Sequence, residues 1–190
     1  MGHEDLVPLP AVERPLSVRL PELRRDRTAT GETRADPMRT SSHVVLGPRH
    51  HDHVLEALER CISRVSDLPV LNGEFAQILR YRIGEEFRPH VDYFNAVAGA
   101  PHPALVDGGQ RAQTVLMYLS DEYAGGTTEF PKLSLVVRGQ RGDLLHFHNV
   151  DAAGLGHDDS LHTGTPVTSG EKWLLSKWIR SEAYPPRLAW

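Results

Sequence analysis

The chain has 190 residues, a formal net charge of −4 at pH 7 and a 39% share of hydrophobic residues, values typical of one globular domain. The weak negative charge argues against binding to nucleic acid or to an anionic membrane, and no segment has the roughly 20 apolar residues of a membrane helix. Cys61 is the only cysteine, so no intrachain disulfide forms. The N-terminus lacks the apolar core of a signal peptide, and these features together predict a cytoplasmic protein.

The composition divides the chain into a short first segment and a domain. Residues 1–38 contain five prolines and are predicted to be extended or looped, and the domain is predicted over 39–190. Its first element is a helix over 53–65, because apolar residues recur there at intervals of three and four. The apolar residues of this helix are Val54, Leu58, Cys61, Ile62 and Val65. Asp52 is the predicted N-cap, and Pro69 stops the helix, since proline disfavours helical geometry in the residue before it.

Short strands separated by glycine-rich turns are predicted for the rest of the chain. The predicted strands cover residues 75–83, 112–119, 127–130, 133–138, 143–148, 161–168 and 172–180. Such a series is typical of a β-sandwich or barrel, and the preceding helix is expected to pack on the outer face of one sheet. The two longest irregular stretches, 95–110 and 149–160, are expected to be binding loops.

Two histidines and an aspartate form the most informative pattern in the sequence. His90 and Asp92 are two residues apart, so in a strand their side chains project from the same face. His162 follows 72 positions after His90, and the fold must bring it to the pair. Two histidines and one carboxylate hold non-haem Fe(II) while leaving coordination positions open. Asp92 favours hydroxylation, because a glycine or alanine there would instead leave room for a halide.

Other histidines offer competing metal ligands. His146 and His148 share one face of a predicted strand and are a geometric alternative to the first pair, although we expect them to be second-layer donors near the site. Three more histidines flank Asp52 at the helix start, and we expect these to be exposed loop and first-turn residues.

Several ordered motifs resemble one known family. They include Arg39-Thr40-Ser41-Ser42, Leu79-Arg80-Tyr81, Arg88-Pro89-His90-Val91-Asp92-Tyr93-Phe94, Gly108-Gly109-Gln110-Arg111, Gly125-Gly126-Thr127-Thr128-Glu129-Phe130-Pro131, Ser160-Leu161-His162 and Gly170-Glu171-Lys172-Trp173. From about residue 39 to residue 180 the chain resembles the catalytic domain of prolyl 4-hydroxylases, a branch of the Fe(II)/2-oxoglutarate oxygenases. The chain differs from the family before this region, and Phe147 stands next to where the family often has tryptophan.

The resemblance implies a mainly β fold with a flanking helix, namely a double-stranded β-helix (jelly roll), over 39–190. It implies that His90, Asp92 and His162 bind Fe(II), with 2-oxoglutarate and O2 as co-substrates and ascorbate as a candidate reductant. Lys172 is implied to pair with the distal carboxylate of 2-oxoglutarate, and the same pocket is expected to include Tyr81 and Thr128. On the substrate side the resemblance points to Arg111 and Tyr93. The alternative roles are core packing for Tyr81 and Tyr93 and a solvated loop charge for Arg111.

The expected activity is hydroxylation of prolyl residues in a peptide or protein. Hydroxylation of a free amino acid or small metabolite is the alternative, since the sequence shows no separate peptide-binding domain. A non-catalytic jelly-roll binding module is an alternative of another class, which the intact ligand set and Lys172 disfavour. A zinc hydrolase with the same three ligands would not need Lys172. A sheet edge near the N-terminus is expected to be open or to meet a second subunit, so a dimer is one option.

Overall fold

The computed structural model describes residues 38–184, so nearly all of the predicted N-terminal segment lies outside the described residues. The single α-helix in this range, α1, is His53–Ser66. Short 3-10 turns are formed by Pro48–His50, Val70–Asn72, Pro103–Val106, Pro131–Leu133 and Asp158–Ser160. The strands are Ser42–Val45 (β1), Gln77–Tyr81 (β2), Phe87–His90 (β3), Arg111–Tyr118 (β4), Tyr123–Gly125 (β5), Thr128–Phe130 (β6), Leu135–Val137 (β7), Leu144–His148 (β8), His162–Gly164 (β9), Val167–Gly170 (β10) and Lys172–Arg180 (β11). Across residues 38–184, no helix has the length and apolar character needed to cross a membrane.

The strands form three antiparallel sheets. The major sheet has the order β1-β2-β11-β4-β8, the minor sheet has the order β3-β9-β6-β7, and β10 pairs with β5. Buried residues from all three sheets pack together in one cluster, which includes Leu79, Tyr118, Tyr123, Val167 and Leu174, with Phe87 and Val137 against it. The predicted double-stranded β-helix is confirmed, because the major and minor sheets enclose this common core.

Helix α1 covers the outer face of the major sheet, as predicted. Its N-cap is Asp52, whose side-chain oxygen accepts hydrogen bonds from the first-turn amides of Val54 and Leu55, at 3.0 and 2.8 Å. Ile62 packs against Leu175 and other residues of the outer sheet face. The helix ends at Asp67, which adopts the left-handed conformation with φ of 54°.

The predicted apolar stripe of α1 is wrong at both ends. Val54 and Val65 are 45% and 43% exposed, whereas Leu55 and Ile62 are buried. The buried face also contains Glu59, whose carboxylate lies 2.5 Å from the ammonium of Lys177 on β11. Because Glu59 is charged, the spacing of apolar residues did not show that its position belongs to the buried face. The ion pair with Lys177 compensates for the burial of the Glu59 carboxylate.

Two strand predictions also need correction. The predicted strand 161–168 is two strands in different sheets, because the chain turns at Thr165 and Pro166 between β9 and β10. The predicted strand 133–138 is strand only over Leu135–Val137. Strands β1 and β5 were not predicted, and β3 was anticipated only through the placement of His90 and Asp92 in a strand.

Candidate active site

The pairing of β3 with β9 brings the two predicted ligand histidines together. His90 lies directly opposite His162 in the register of this antiparallel pair, which closes a separation of 72 positions along the sequence. Strand β3 ends at His90, so Asp92 lies two residues beyond the strand and not within it as expected. One ligand atom from each of the three residues lies within 4.8 Å of the others.

Hydrogen bonds orient both imidazoles toward the carboxylate. Nδ1 of His90 is 2.8 Å from the carbonyl oxygen of Arg88, and Nδ1 of His162 is 2.8 Å from that of Ser160. A carbonyl oxygen only accepts, so each Nδ1 donates, and in the neutral imidazole each Nε2 then carries the lone pair that a metal needs. These Nε2 atoms lie 3.7 and 3.8 Å from the Asp92 oxygens. The donor set therefore fits a divalent metal, since outer hydrogen bonds of this kind fix metal-binding histidines.

Aromatic rings surround the two histidines. The Phe87 ring stacks on His90 with centroids 3.5 Å apart, and the Phe147 ring meets His162 edge-on at 4.9 Å. Phe130 completes the apolar wall at 5.7 Å from His162. These contacts restrict both imidazoles to one orientation and keep water from their faces.

Burial and neighbouring charges set the protonation states that a metal needs. Burial, followed by the proximity of His162, lowers the pKa of His90 to about 4, so this imidazole is neutral at pH 7. Burial works against ionisation of Asp92, but the two imidazoles and a hydrogen bond from Thr114 hold the pKa of its carboxyl below the usual value. Neutral imidazole and ionised carboxylate are the forms that bind metal.

Lys172 lies in the same pocket as the three ligand residues. It begins β11 directly opposite Tyr81 on β2 and is 2% exposed. Its ammonium donates to the carbonyl oxygen of Gly126 at 2.6 Å and lies 3.4 Å from the Thr128 hydroxyl. Burial lowers the pKa of Lys172 to about 8 and raises the pKa of Tyr81 to about 12. The pocket is lined by residues that include Arg39, Tyr81, Phe87, His90, Asp92, Thr128, His162, Lys172 and Trp178.

Some residues of the site were not identified from the sequence. The Tyr118 hydroxyl donates to the Thr128 hydroxyl at 3.0 Å. The Thr114 hydroxyl donates to Asp92, and the Asn149 side chain donates to Thr114. Thr114 and Tyr118 share the inward face of β4, four residues apart, so strand alternation contained a signal for both. Asn149 lies just past β8, and its sequence context gave no such signal.

The predicted substrate-side residues, Arg111 and Tyr93, are not among the residues that line the pocket, but Arg111 contacts Trp178, which is. Arg111 makes two hydrogen bonds to Glu74, at 2.7 and 2.9 Å, and its guanidinium lies 3.6 Å from the centre of the Trp178 ring. The alternative of a solvated loop charge is therefore wrong, since the Arg111 side chain is only 19% exposed. Tyr93 lies against Gly156, where a Cβ atom would fall 2.3 Å from the tyrosine ring.

The loop 95–110 is attached firmly at its base. The buried guanidinium of Arg180 donates to the carbonyl oxygens of Ala104 and Asp107. The Gln110 side chain donates to and accepts from the backbone of Phe94, at 2.9 and 2.7 Å. Residues 95–100 of this loop are exposed.

Among residues 38–184, no other histidine joins the group of His90, Asp92 and His162. His146 lies opposite Val115 on the outer face of the major sheet, and its ring nitrogen is 2.7 Å from the Gln113 side-chain oxygen. The expectation that His146 and His148 lie near the ligands is wrong, because alternation along β8 turns them to the helix side. His51 and His53 are exposed at the start of α1, as predicted, whereas His50 is only partly exposed and its Nδ1 is buried.

Comparison with known proteins gives the chain a family. Residues 76–180 match the model of the 2OG-Fe(II) oxygenase superfamily. Prolyl 4-hydroxylase 5 of Arabidopsis thaliana is 38% identical over 169 residues, which cover 79% of this chain and 56% of the relative. Prolyl 4-hydroxylase 1 of the same plant is 35% identical over 168 residues, covering 81% and 58%. The chain thus spans somewhat more than half the length of these relatives.

Solved structures agree with this assignment. A viral collagen prolyl hydroxylase from Paramecium Bursaria Chlorella virus-1, in complex with 2OG, has a TM-score of 0.62 and 27% identity, over 75% of this chain and 80% of the other. A prolyl hydroxylase from Trichoplax adhaerens, in complex with a hypoxia inducible factor peptide, has a TM-score of 0.58 at 15% identity, covering 83% and 70%, and that likeness shows the fold alone. The chain therefore belongs to the 2OG-Fe(II) oxygenase superfamily, and within it is similar to prolyl 4-hydroxylases.

Proposed function

We propose that the protein is an Fe(II)- and 2-oxoglutarate-dependent hydroxylase that acts on prolyl residues of a peptide or protein. The observation that carries the proposal is the geometry of one pocket. Its outer part holds two imidazole nitrogens and a carboxylate within 4.8 Å of one another, and a buried lysine lies in the same pocket. A zinc hydrolase would have no use for that lysine, whereas a dicarboxylate co-substrate needs a cation at some distance from the metal.

Each pocket residue has a role in this proposal. His90, Asp92 and His162 bind Fe(II), and their fixed orientation leaves the remaining coordination positions to 2-oxoglutarate and O2. Lys172 binds the distal carboxylate of 2-oxoglutarate, with the hydroxyls of Tyr81 and Thr128 beside it. When bound, Fe(II) with 2-oxoglutarate supplies the oxidation of a C–H bond by O2, with succinate and carbon dioxide as products.

The electrostatics near the pocket favour a prolyl peptide over a free amino acid. A free amino acid carries a carboxylate that needs a cation, and the Arg111 guanidinium is already engaged by two hydrogen bonds to Glu74, a carboxylate that it shares with Arg180. A peptidyl proline brings no such charge. The aromatic side chains of Phe87 and Trp178 line the pocket, and aromatic surfaces suit extended proline-rich chains. We therefore assign Arg111 and Tyr93 to substrate positioning, Arg111 through Trp178 and Tyr93 through direct contact.

The first test is anaerobic addition of Fe(II) and 2-oxoglutarate to the purified protein. A weak visible charge-transfer band is expected, and Asp92→Ala should abolish it because one of three ligands is lost. Asp121→Ala is the matched control, since it removes an exposed carboxylate outside the pocket. Folded wild-type protein without such a band would overturn the oxygenase proposal.

The second test compares succinate release with a proline-rich peptide and with free L-proline. Release that depends on the peptide supports prolyl hydroxylation, and a mass increase of one oxygen atom on the peptide identifies the product. Release with free proline alone would instead establish the metabolite hydroxylase.

We also propose a cytoplasmic location, in keeping with a single cysteine and a metal that is stable when reduced. Ascorbate dependence and dimer formation stay predictions, to be measured by omission of ascorbate from the assay and by light scattering.

A further inference from the structure

The Asp92 carboxylate is held by a single side-chain hydrogen bond. Asp92 is 6% exposed, and its Oδ2 accepts from the Thr114 hydroxyl at 2.7 Å. Neither facing imidazole makes a hydrogen bond to it, because the Nε2 atoms of His90 and His162 lie 3.7 and 3.8 Å from the Asp92 oxygens. Within residues 38–184, Thr114 is therefore the one side chain that fixes the rotation of this carboxylate.

The hydroxyl of Thr114 is itself oriented by Asn149. A hydroxyl has one hydrogen, and Thr114 uses it on Asp92, so its oxygen must accept from the Asn149 amide nitrogen at 2.8 Å. This requirement settles the orientation of the amide, with Nδ2 toward Thr114. The amide oxygen of Asn149 is buried and has no hydrogen-bond partner in the described part of the chain. The side chain thus serves as a donor, and donation runs in one direction from Asn149 through Thr114 to Asp92.

The protein fixes both residues rigidly. Thr114 is 1% exposed and Asn149 is fully buried. The backbone nitrogen of Asn149 donates to the Ala112 carbonyl oxygen at 2.8 Å, and its carbonyl oxygen accepts from the His157 amide at 2.9 Å. Asn149 also begins the loop 149–160, whose other end presents the Ser160 carbonyl oxygen to His162. One loop therefore supports two of the three ligand residues.

We infer that Thr114 and Asn149 are positioning residues that hold the Asp92 carboxylate in the rotation needed for metal binding. They act through Asp92 and donate nothing to the metal directly. The inference rests on the proposed ligand set. Its consequence is that removal of the Thr114 hydroxyl weakens metal binding although all three ligands remain.

The test measures Co(II) binding by calorimetry, without 2-oxoglutarate, for wild type, Thr114→Val, Thr114→Ser and Asn149→Leu. Thr114→Val keeps the shape of the side chain but not the hydroxyl, and it should raise the Kd for Co(II) by about tenfold or more. Thr114→Ser restores the hydroxyl and should stay within about twofold of wild type. Asn149→Leu leaves the hydroxyl without its donor and should weaken binding several-fold. The visible Co(II) spectrum should change in Thr114→Val and not in Thr114→Ser.

Controls separate this inference from the proposed function. Ser66→Ala removes another buried hydroxyl, on the helix side of the major sheet, and should bind Co(II) as wild type does. Failure of wild type to bind, or unchanged binding by Asp92→Ala, contradicts the ligand set itself. Normal wild-type binding with an unchanged Kd in folded Thr114→Val overturns the positioning role alone. If Thr114→Val does not fold, an unchanged Kd in Asn149→Leu overturns it.

Discussion

At the scale of single residues, Lys172 combines a charge with nearly complete burial. Its ammonium contacts a carbonyl oxygen and a hydroxyl, and the rings of Tyr81 and Tyr118 lie 5.7 and 5.5 Å away. No ion pair to Lys172 exists among residues 38–184. The charge is thus kept in the interior at a cost in stability, as is common at sites that bind an anion.

This cost makes the stability of the fold depend on pH. Burial lowers the pKa of Lys172 to about 8 in the folded protein, against 10.5 for an ordinary lysine. The folded state therefore binds this proton less tightly than the unfolded state, so stability rises as pH increases from about 8 to 10.5. We expect Lys172→Met to be more stable than wild type at pH 7 by up to about 3 kcal/mol, with the difference shrinking toward pH 10.5. Urea unfolding at several pH values measures this, with Lys132→Met, at an exposed lysine, as the control. An equal effect of both substitutions would contradict the argument.

The same pKa predicts how 2-oxoglutarate binding changes with pH. Only the protonated lysine attracts a carboxylate, so affinity for 2-oxoglutarate should fall as pH rises above about 8. Tyr81 and Tyr118 face the same ammonium, and burial raises the pKa of both, so they stay neutral in this range. Arg39 also lines the pocket. Calorimetry in the presence of Mn(II) between pH 7 and 9 gives the affinity, and a constant value would show that Lys172 does not bind the co-substrate.

The sequence identified the residues with distinctive chemistry and missed those with ordinary chemistry. His90, Asp92, His162 and Lys172 stand out because metal ligands and anion partners come from few residue types. Thr114 and Asn149 are common polar residues, and their importance comes only from the hydrogen bonds that run from Asn149 to Thr114 and from Thr114 to Asp92. Such roles depend on distances of 2.7 and 2.8 Å, which no spacing along the chain encodes.

At the scale of elements, helix α1 shows which face of an amphipathic helix is buried. Ile62 is 3% exposed and packs on the outer sheet face, whereas Val65, three residues on, is 43% exposed. We expect Ile62→Ala to destabilise the protein by about 2–5 kcal/mol, because it leaves a cavity against Val115 and Leu175. Val65→Ala should change stability by less than about 0.5 kcal/mol. Urea unfolding compares the two, and equal losses would mean that the predicted stripe was correct after all.

The loop 149–160 meets the substrate side of the site at Gly156. A Cβ atom there would fall 2.3 Å from the Tyr93 ring, although the Gly156 backbone itself does not require glycine. Gly156→Ala should therefore displace Tyr93 and raise the KM for a prolyl peptide, with little change in the Kd for 2-oxoglutarate. Steady-state kinetics and calorimetry measure the two quantities. Gly47→Ala is the control, because no atom lies within 4 Å of its added methyl group. A loss of 2-oxoglutarate binding would show that the loop supports the inner pocket instead.

Element boundaries were predictable where one local signal dominated. The helix start followed from Asp52, whose side chain binds two amides of the first turn. The break between β9 and β10 was missed although Pro166, a residue that rarely occurs inside a strand, marks it in the sequence. That break depends on pairing with different sheets, which is a property of the tertiary structure.

At the scale of the whole molecule, the proposed metal site joins distant parts of the chain. Its ligands come from β3 with the residues just after it and from β9, on adjacent strands of the minor sheet. A metal bound only by the folded state stabilises it by mass action, by about 2.7 kcal/mol at a concentration 100 times the Kd. We expect Mn(II) to raise the Tm of wild type and not of Asp92→Ala, as measured by calorimetry. An equal rise in both would indicate a metal bound elsewhere.

The fold class could be predicted from the sequence, but the order of strands within each sheet could not. Repeated short strands with glycine turns indicated a β-sandwich or barrel, and the family resemblance narrowed this to a jelly roll. The direct pairing of His90 with His162 is a matter of register between remote segments. The lengths of the loops and the alternation of side chains along each strand are compatible with several registers. Packing of the complete core selects one of them.

The position of β11 has a consequence for how the chain folds during synthesis. This strand follows the other ten described strands in sequence, yet it lies at the centre of the major sheet, between β2 and β4. While the ribosome is still producing residues before Lys172, the facing edges of β2 and β4 have no partner. Contacts between such distant segments slow folding and leave strand edges exposed to other chains. Synthesis of the last described strand is therefore the step that closes the sheet, and the same step delivers the lysine of the co-substrate pocket.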